Sequence, residues 1–368
     1  MPGGKVDQSA VRAAYERAAS QGDEDFLARV RFELQRDLKS RLDKYLVSRV
    51  AHMSRSGLQR LIDGGGATVN GRPAKASTKL RGGDVVELVI PPPASGEITP
   101  EDIPLDVLYE DEHLIAINKQ PDIIVHPARS ELSGTMINAL AWHFRNVTSG
   151  DLSPVGGEYA RPGVVHRLDR NTSGSIVFAK TEEAHWKIGR QFEERTVDKR
   201  YLAVVHGHVR DDHQVIDLPL GPHQSKAKGA REKRVVRRDD LGKPSITICR
   251  VRTRFTTEDG GAFSLVELEL KTGRTHQIRV HLSYLDHPIV GDDMYGGRPF
   301  LYEENYLLNR QALHAALLAF AHPMTGEALV FVAPPRAEIV GFIEHLRAHS
   351  VCAEVHAQGA VPLARFGL

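Results

Sequence analysis

The sequence has only two cysteines, Cys249 and Cys352, and their separation matches no zinc or redox spacing. A disulfide scaffold is therefore not expected, and a reducing cytoplasm is the natural compartment. Long hydrophobic runs are also missing. None approaches the ~20 apolar residues that a membrane-spanning helix needs, so no membrane partner is expected. The opening stretch MPGGKVDQSAVRAAYERAAS is too charged for a secretory signal. No GxGxxG or GxxxxGK[ST] string occurs, which removes the common phosphate loops, and no cofactor is expected. The 18 histidines do not supply a metal site. His276 and His281 stand five apart rather than at HExxH spacing, and no carboxylate–histidine set has ligand spacing. A metal-dependent hydrolase is disfavoured on that ground. The formal net charge is only +1, which by itself says nothing about partners.

What is present is an ordinary globular composition, 41% hydrophobic and 26% charged, in 368 residues. That length suggests two domains. Residues 1–39 read as a helical or flexible N-terminal extension, with Phe26, Val30 and Leu34 at helical spacing. Residues 40–90 form a compact unit. Leu42, Tyr45, Leu46 and Val50 give one buried helical face. Ser54 or Ser56 is an N-cap candidate for a second helix through Leu61 and Ile62, which stops at Gly64–Gly65–Gly66. Thr68–Val69–Asn70–Gly71 is a strand and tight turn, and Val85, Val86, Leu88 and Val89 a further strand. Residues 41–87 carry nine Lys/Arg against four Asp/Glu, a local +5 that points to phosphate contacts through residues such as Arg41, Lys44, Arg55 and Arg60.

Pro91–Pro92–Pro93 opens a linker, residues 91–102. Residues 103–348 then read as a larger α+β domain with a mixed or antiparallel sheet, followed by a tail at 349–368. Strands are expected at His113–Asn118, Ser175–Ala179, Tyr201–His206, Ile246–Arg250 and Phe263–Leu270. Helices are expected at Gly134–Phe144, Glu182–Arg195, His276–Leu285 (capped by Thr275) and Val340–Ala348. A second basic stretch, 226–243, holds eight Lys/Arg against three Asp/Glu. It includes Lys226, Lys228, Arg231, Lys233 and Arg234 and reads as a flexible clamp for a phosphate backbone.

Asp169 sits in GVVHRLDRNTSG, where an apolar strand runs into a polar loop and a second strand leaves it. The spacing alone leaves two readings, an aspartate closing an Asx-turn and a catalytic side chain held by rigid strands. Tyr201 opens a strand and equally suits the core. Arg279 lies one turn beyond Thr275, beside the apolar stripe of Ile278, Leu282 and Leu285, and can point inward at a carboxylate.

The strings HRLDRNTSG, KRYLAVVHG, KTGRTHQIRVHL and HPIVGDDMYGG stand in the order and spacing of the RluA-type pseudouridine synthases, which the chain resembles from about Leu105 to Pro335. YEDEHLIAINKQPDIIVHP and LHAALLAFAHP fit the same pattern, with Gln120 and Asp122 as departures. RLDKYL and SRSGLQRLIDGGGATVNG resemble an RNA-binding domain of the S-four type. The resemblance implies Asp169 as nucleophile, Tyr201 stacked on the uracil and engaged in proton transfer, and Arg279 paired with Asp169. It also implies Arg167 at the flipped nucleotide, with His166, Arg274 and Ile278 as further substrate-binding residues. The expected function is isomerisation of specific uridines by a monomeric enzyme, with large-subunit ribosomal RNA as the expected substrate. The competing reading, a non-catalytic RNA-binding or ribosome-assembly protein, would fit an altered Asp169, Tyr201 or Arg279, and all three are in place.

Overall fold

A computed structural model of the chain describes residues 5–6, 8–20, 28–38, 40–50, 53, 55–90, 98–126, 133–155, 162–224, 233–302, 305–355 and 359–368. In the N-terminal domain, α1 (Gln8–Ser20) leads to β1 (Ala28–Glu33), α2 (Leu42–Val47), α3 (Arg55–Leu61), β2 (Ala67–Val69), β3 (Arg72–Pro73) and β4 (Val85–Ile90). The sheet order is β1-β4-β2-β3. Asn70 and Gly71 both take positive φ, 53° and 74°, as a two-residue hairpin turn requires. After α3 the chain makes a wide turn through Ile62–Gly66, with Gly65 at φ +93°.

The expected helical spacing of Val30 and Leu34 is corrected here. Both are buried, but Val30 belongs to a strand that pairs antiparallel with β4 from Ala28–Ile90 to Glu33–Val85. A spacing of four is even, so it keeps one face of a strand as well as one face of a helix. Phe32, midway between them on that face, is fully buried. The extension is also tied down: the Tyr15 hydroxyl donates to the Ile90 carbonyl and accepts from the Ala28 N–H. Phe26, Ser54 and the linker residues 91–97 lie outside the described residues.

The larger domain runs β5 (Val107–Glu110), β6 (Leu114–Lys119), α4 (Met136–Asn146), β7 (Ser173–Ala179), α5 (Glu182–Glu193), β8 (Asp198–His206), β9 (His213–Asp217), β10 (Leu220–Pro222) and β11 (Arg234–Val236). It continues through β12 (Ile246–Thr257), β13 (Ala262–Leu270), α6 (Gln277–Tyr284), β14 (Phe300–Tyr302), β15 (Asn305–Leu308), β16 (Leu313–Ala321), β17 (Ala328–Val332), α7 (Ala337–Ala348) and β18 (Ser350–Glu354). The main sheet is ordered β18-β12-β13-β8-β16-β7-β6-β5, with β17 beside β16 and β9 beside β12. It is mixed: β7 and β16 run parallel, and the other pairs are antiparallel.

Strands β6 and β7 are buried along their whole length because helices cover both faces. On one face Ile115, Ile117, Ile176 and Phe178 share a core with Ile137 and Leu140 of α4. On the other, Leu114, Ala116 and Val177 pack with Ala184 and Ile188 of α5. Capping explains where these helices begin. Thr135 and Asn138 form a reciprocal capping box before α4, and Thr181 caps α5 by accepting from the Ala184 N–H.

The segment expected as a C-terminal tail is instead part of this domain. Its strand β18 pairs with the edge of β12. The buried Glu267 carboxylate accepts the N–H groups of Ala360 and Val361, and Leu363 and Leu368 enter the core. Unpaired edge donors and acceptors on β12 explain the addition of a strand there.

The two domains meet at α5. Trp186 is buried among N-terminal residues rather than in its own domain's core. A Cβ on Gly64 would stand 2.7 Å from Trp186 Cδ1, so the wide turn after α3 seats the indole closely. Arg29 of β1 also pairs with Glu193 at the far end of α5.

Candidate active site

The loop 169–172 lies between the bridge residue Val164 and β7. It is held from three sides. The Thr172 N–H donates to the Asp169 carbonyl, Arg310 Nη1 to the Asn171 carbonyl, and Lys119 Nζ to the Arg170 carbonyl at 2.8 Å. Lys119 is fully buried, and its other two protons go to the carbonyls of Gln120 and Ile123. Burial pushes its ammonium down to about 7, against the opposing charge of Asp169. Gly174, at φ +118°, lets β7 approach β16: an added Cβ would lie 2.2 Å from the Ala315 carbonyl oxygen. The result is an aspartate displayed from a rigid frame.

Asp169 faces an open cleft lined by His166, Arg167, Lys199, Tyr201, Arg274 and Ile278, among others. Asp169 is the sole carboxylate in that lining among the described residues. Arg279, on the first turn of α6, donates from Nη1 to Asp169 Oδ2 at 3.1 Å. Its other edge forms a two-pronged pair with Asp292, at 2.7 Å and 2.8 Å. Its guanidinium also lies over the Tyr295 ring, 4.9 Å from the centroid. Asp292 has no solvent exposure. One guanidinium thus bridges a wholly buried carboxylate and one that reaches the cleft.

The electrostatics follow from this arrangement. Burial pushes the Asp169 carboxyl up, but His276, Arg279 and Arg167 outweigh it and hold the group below its ordinary value. His276 is itself pushed down to about 4 by burial, so at neutral pH its ring is uncharged and the guanidiniums keep Asp169 ionised. Burial raises the Tyr201 phenol well above its ordinary range, and the Asp169 charge adds to that, so the hydroxyl stays protonated.

The expected cap at Thr275 is corrected. His276 occupies the N-cap position of α6 in a left-handed conformation, φ 57°, and no side chain caps the helix. The turn before it is held by Gln277, whose Oε1 accepts from the Thr272 hydroxyl and the Arg274 N–H. In that conformation His276 hydrogen-bonds Tyr295 Oη through Nδ1 at 2.8 Å, with Nε2 3.9 Å from Asp169.

The cleft brings together Asp169, Tyr201, Arg279, Arg167, His166, Arg274 and Ile278. His166 serves as a support: its Nε2 accepts the Val177 N–H at 3.0 Å and its ring stacks on Phe192. Burial, then the Lys199 charge, push it down to about 3, so it is neutral. The basic residues are more scattered. Arg41 and Arg55 both clamp the buried Asp43, with Gln59, while their side chains remain about half exposed. Lys44 is exposed. The Arg60 side chain and Lys226, Lys228 and Arg231 lie outside the described residues. Arg234 is no part of an exposed clamp. It is buried on β11, and its N–H donates to Tyr295 Oη. From sequence, the stretch His287–Asp292, with Tyr295 behind it, can turn back toward Asp169, but neither Asp292 nor Tyr295 receives a role there, nor does Lys119.

A cleft with one ionised carboxylate, a protonated phenol and several guanidiniums suits an anionic substrate. The comparisons are specific. The RNA pseudouridylate synthase family model matches residues 113–284, and the S4 domain model residues 40–86. An uncharacterized RNA pseudouridine synthase of Bacillus subtilis is 40% identical over 83% of this chain and 94% of its own length. A protein of Zymomonas mobilis described as ribosomal large subunit pseudouridine synthase D is 39% identical, over 79% of this chain and 89% of its own. The structure of human RNA pseudouridylate synthase domain containing 1 superposes with a TM-score of 0.52 at 26% identity, covering 74% of this chain and 96% of that one. The chain belongs to the RluA-type RNA pseudouridine synthase family and carries an S4 domain at its N-terminal side. It is an isomerase that acts on RNA.

Proposed function

We propose that the enzyme converts uridines of large-subunit ribosomal RNA to pseudouridine, with Asp169 as the attacking carboxylate. The observation that carries the assignment is the Arg279 bridge, which keeps the cleft's carboxylate ionised despite burial. The ribosomal target rests on relatives described as ribosomal large subunit pseudouridine synthase D, such as that of Vibrio parahaemolyticus, 38% identical over 84% of this chain and 92% of its own.

The reaction breaks the C1′–N1 bond, turns the uracil, and forms C1′–C5; N1 gains a proton and C5 loses one, so the change is a net isomerisation. An anionic nucleophile is strongest when desolvated, and the Arg279 charge lets it be both dry and ionised. Tyr201, with its ring in the cleft and its hydroxyl protonated, stacks on the base and donates a hydrogen bond. The protonated phenol gives its proton to the detached uracil and, as the phenolate so formed, takes the proton that leaves C5, ending as it began. Arg167 fills the space that a flipped nucleotide vacates. Cytoplasmic RNA in a reducing compartment is the setting that two unpaired cysteines fit.

The test is Asp169→Asn. Tritium release from 5-tritiated uridine RNA should fall by at least ~10³-fold, in line with loss of a covalent catalyst, while a gel shift should show RNA binding close to wild type. Turnover within tenfold of wild type would sink the assignment. Mapping pseudouridine in cells lacking the gene should show the loss in large-subunit ribosomal RNA; a loss confined to transfer RNA would overturn the substrate.

A further inference from the structure

Arg234 is 7% exposed, and its Nε and Nη1 have no hydrogen-bond partner among the described residues. A guanidinium carries five donors and cannot shed its charge, so burying it unpaired costs free energy that folding must recover elsewhere. Such an orphan group points to a ligand absent from the free protein.

Its position says which ligand. The Arg234 N–H donates to Tyr295 Oη at 2.9 Å, and the same oxygen meets His276 Nδ1 at 2.8 Å. Lys233 Nζ stands 5.5 Å from the Tyr295 ring centroid, and Arg279 lies 4.9 Å from it. Tyr295 therefore links β11 directly to the wall of the cleft. The charge of Arg234 pushes against protonation of both Arg167 and His276, which line that cleft. Asp169 and Asp292 are both paired with Arg279, and among the described residues Lys233 and Arg234 add further positive charge beside Tyr295. A uracil ring is neutral and offsets none of this; a phosphodiester offsets it and accepts from a guanidinium at two oxygens.

We propose that Arg234 is a substrate-binding residue that takes a phosphodiester of the RNA next to the flipped uridine. This rests on the reading of the cleft given above. It also alters the expectation from sequence, which placed Arg234 in a flexible basic loop that clamps the RNA backbone. The residue is instead a buried receptor beside the reacting nucleotide.

Two variants of the full chain test it, Arg234→Met, which keeps the length and apolar bulk, and Arg234→Lys. In the absence of RNA, Arg234→Met should melt at or above the wild-type temperature, because an uncompensated buried charge is gone. Inorganic phosphate should raise the wild-type melting temperature more than that of Arg234→Met. With a transcript of large-subunit ribosomal RNA, the half-saturating concentration for single-turnover tritium release should rise about 10- to 100-fold in Arg234→Met, as expected for a lost charged hydrogen bond. The slope of log affinity against log salt should flatten by about 0.7–0.9, one phosphate's worth. Arg234→Lys should recover the slope more fully than the affinity. A lower melting temperature with unchanged affinity and slope would make Arg234 a packing residue and overturn the proposal. If the wild type releases no tritium from any RNA, the function proposed above fails. The phosphate melts still decide Arg234: protection lost in Arg234→Met supports the anion site, and protection retained overturns it.

Discussion

Arg279→Ala removes the bridge between the two carboxylates, and its consequences can be worked from the geometry. The wild-type guanidinium donates at 2.7 Å and 2.8 Å to Asp292 and at 3.1 Å to Asp169. Asp292 is wholly buried and Asp169 largely so. Truncation leaves both without that partner, and breaking a buried pair from one side costs roughly 3–5 kcal/mol. For a domain of this size that lowers the melting temperature by on the order of 6–20 °C at neutral pH. The pH dependence has a definite sign. In the wild type the Asp169 pKa is depressed, so its contribution is present above the unfolded value and is lost as pH falls through the folded one. Without Arg279, burial dominates and raises that pKa. The variant is then penalised at neutral pH and relieved as acid protonates the carboxyl. The gap in melting temperature between wild type and variant should therefore narrow from pH 7 to pH 4. Arg279→Lys restores one positive charge but cannot span both carboxylates, so it should recover part of the stability and little of the turnover. Thermal melts across that pH range, with tritium release at pH 7, check each step. An Arg279→Ala protein that melts within a degree of wild type and turns over normally would refute the bridge.

Tyr201→Phe removes only a hydroxyl from a strand buried between β13 and β16, so it should melt near wild type. Its single-turnover tritium release should fall by about 10²–10⁴-fold, the usual range for proton transfer. An unchanged rate would reduce Tyr201 to packing. With RNA pre-bound, the rate should show no acid limb between pH 7 and pH 5, because Asp169 lies below its ordinary value and His276 titrates at about 4; a limb centred near pH 6 would contradict this. Deleting residues 1–90 should leave chemistry at saturating RNA but flatten the salt slope by about 0.7–0.9 for each phosphate that the N-terminal domain neutralises. It should also bare Trp186, read as a red-shifted tryptophan emission in a chain with two tryptophans. An emission identical to that of the full chain would mean that the two domains do not dock through α5.

Much of the architecture was legible because the signals were local. The hairpin at Asn70–Gly71, the helix at 136–146 and the strand at 262–270 each follow from turn residues or periodicity within a short window. The errors have equally physical origins. Val30 and Leu34 are separated by four, a spacing that a strand face and a helix face share, and only pairing with β4 decides between them. Residues 349–368 read as a tail from sequence. Their order comes from the edge of β12 and the buried Glu267, neither of which is near them in sequence. Trp186 falls inside the expected helix Glu182–Arg195, whereas its close seat is against Gly64, more than a hundred residues earlier.

The site divides along the same line. Asp169 and Arg279 stand out in sequence because their strings are distinctive, yet nothing local states that one guanidinium serves two carboxylates. Asp292 sits thirteen residues beyond Arg279 and reaches it only because Gly291, at φ +78°, turns the chain back: a Cβ there would meet the Arg310 carbonyl oxygen at 2.1 Å. Arg310 in turn holds the carbonyl of Asn171 in the loop that carries Asp169. One close approach therefore fixes the partner of Arg279 and the frame of Asp169 together. A side chain at Gly291 would displace both, so its effect should fall on turnover and on the acid stability of Asp169 at once. A substitution in the basic N-terminal domain should move neither.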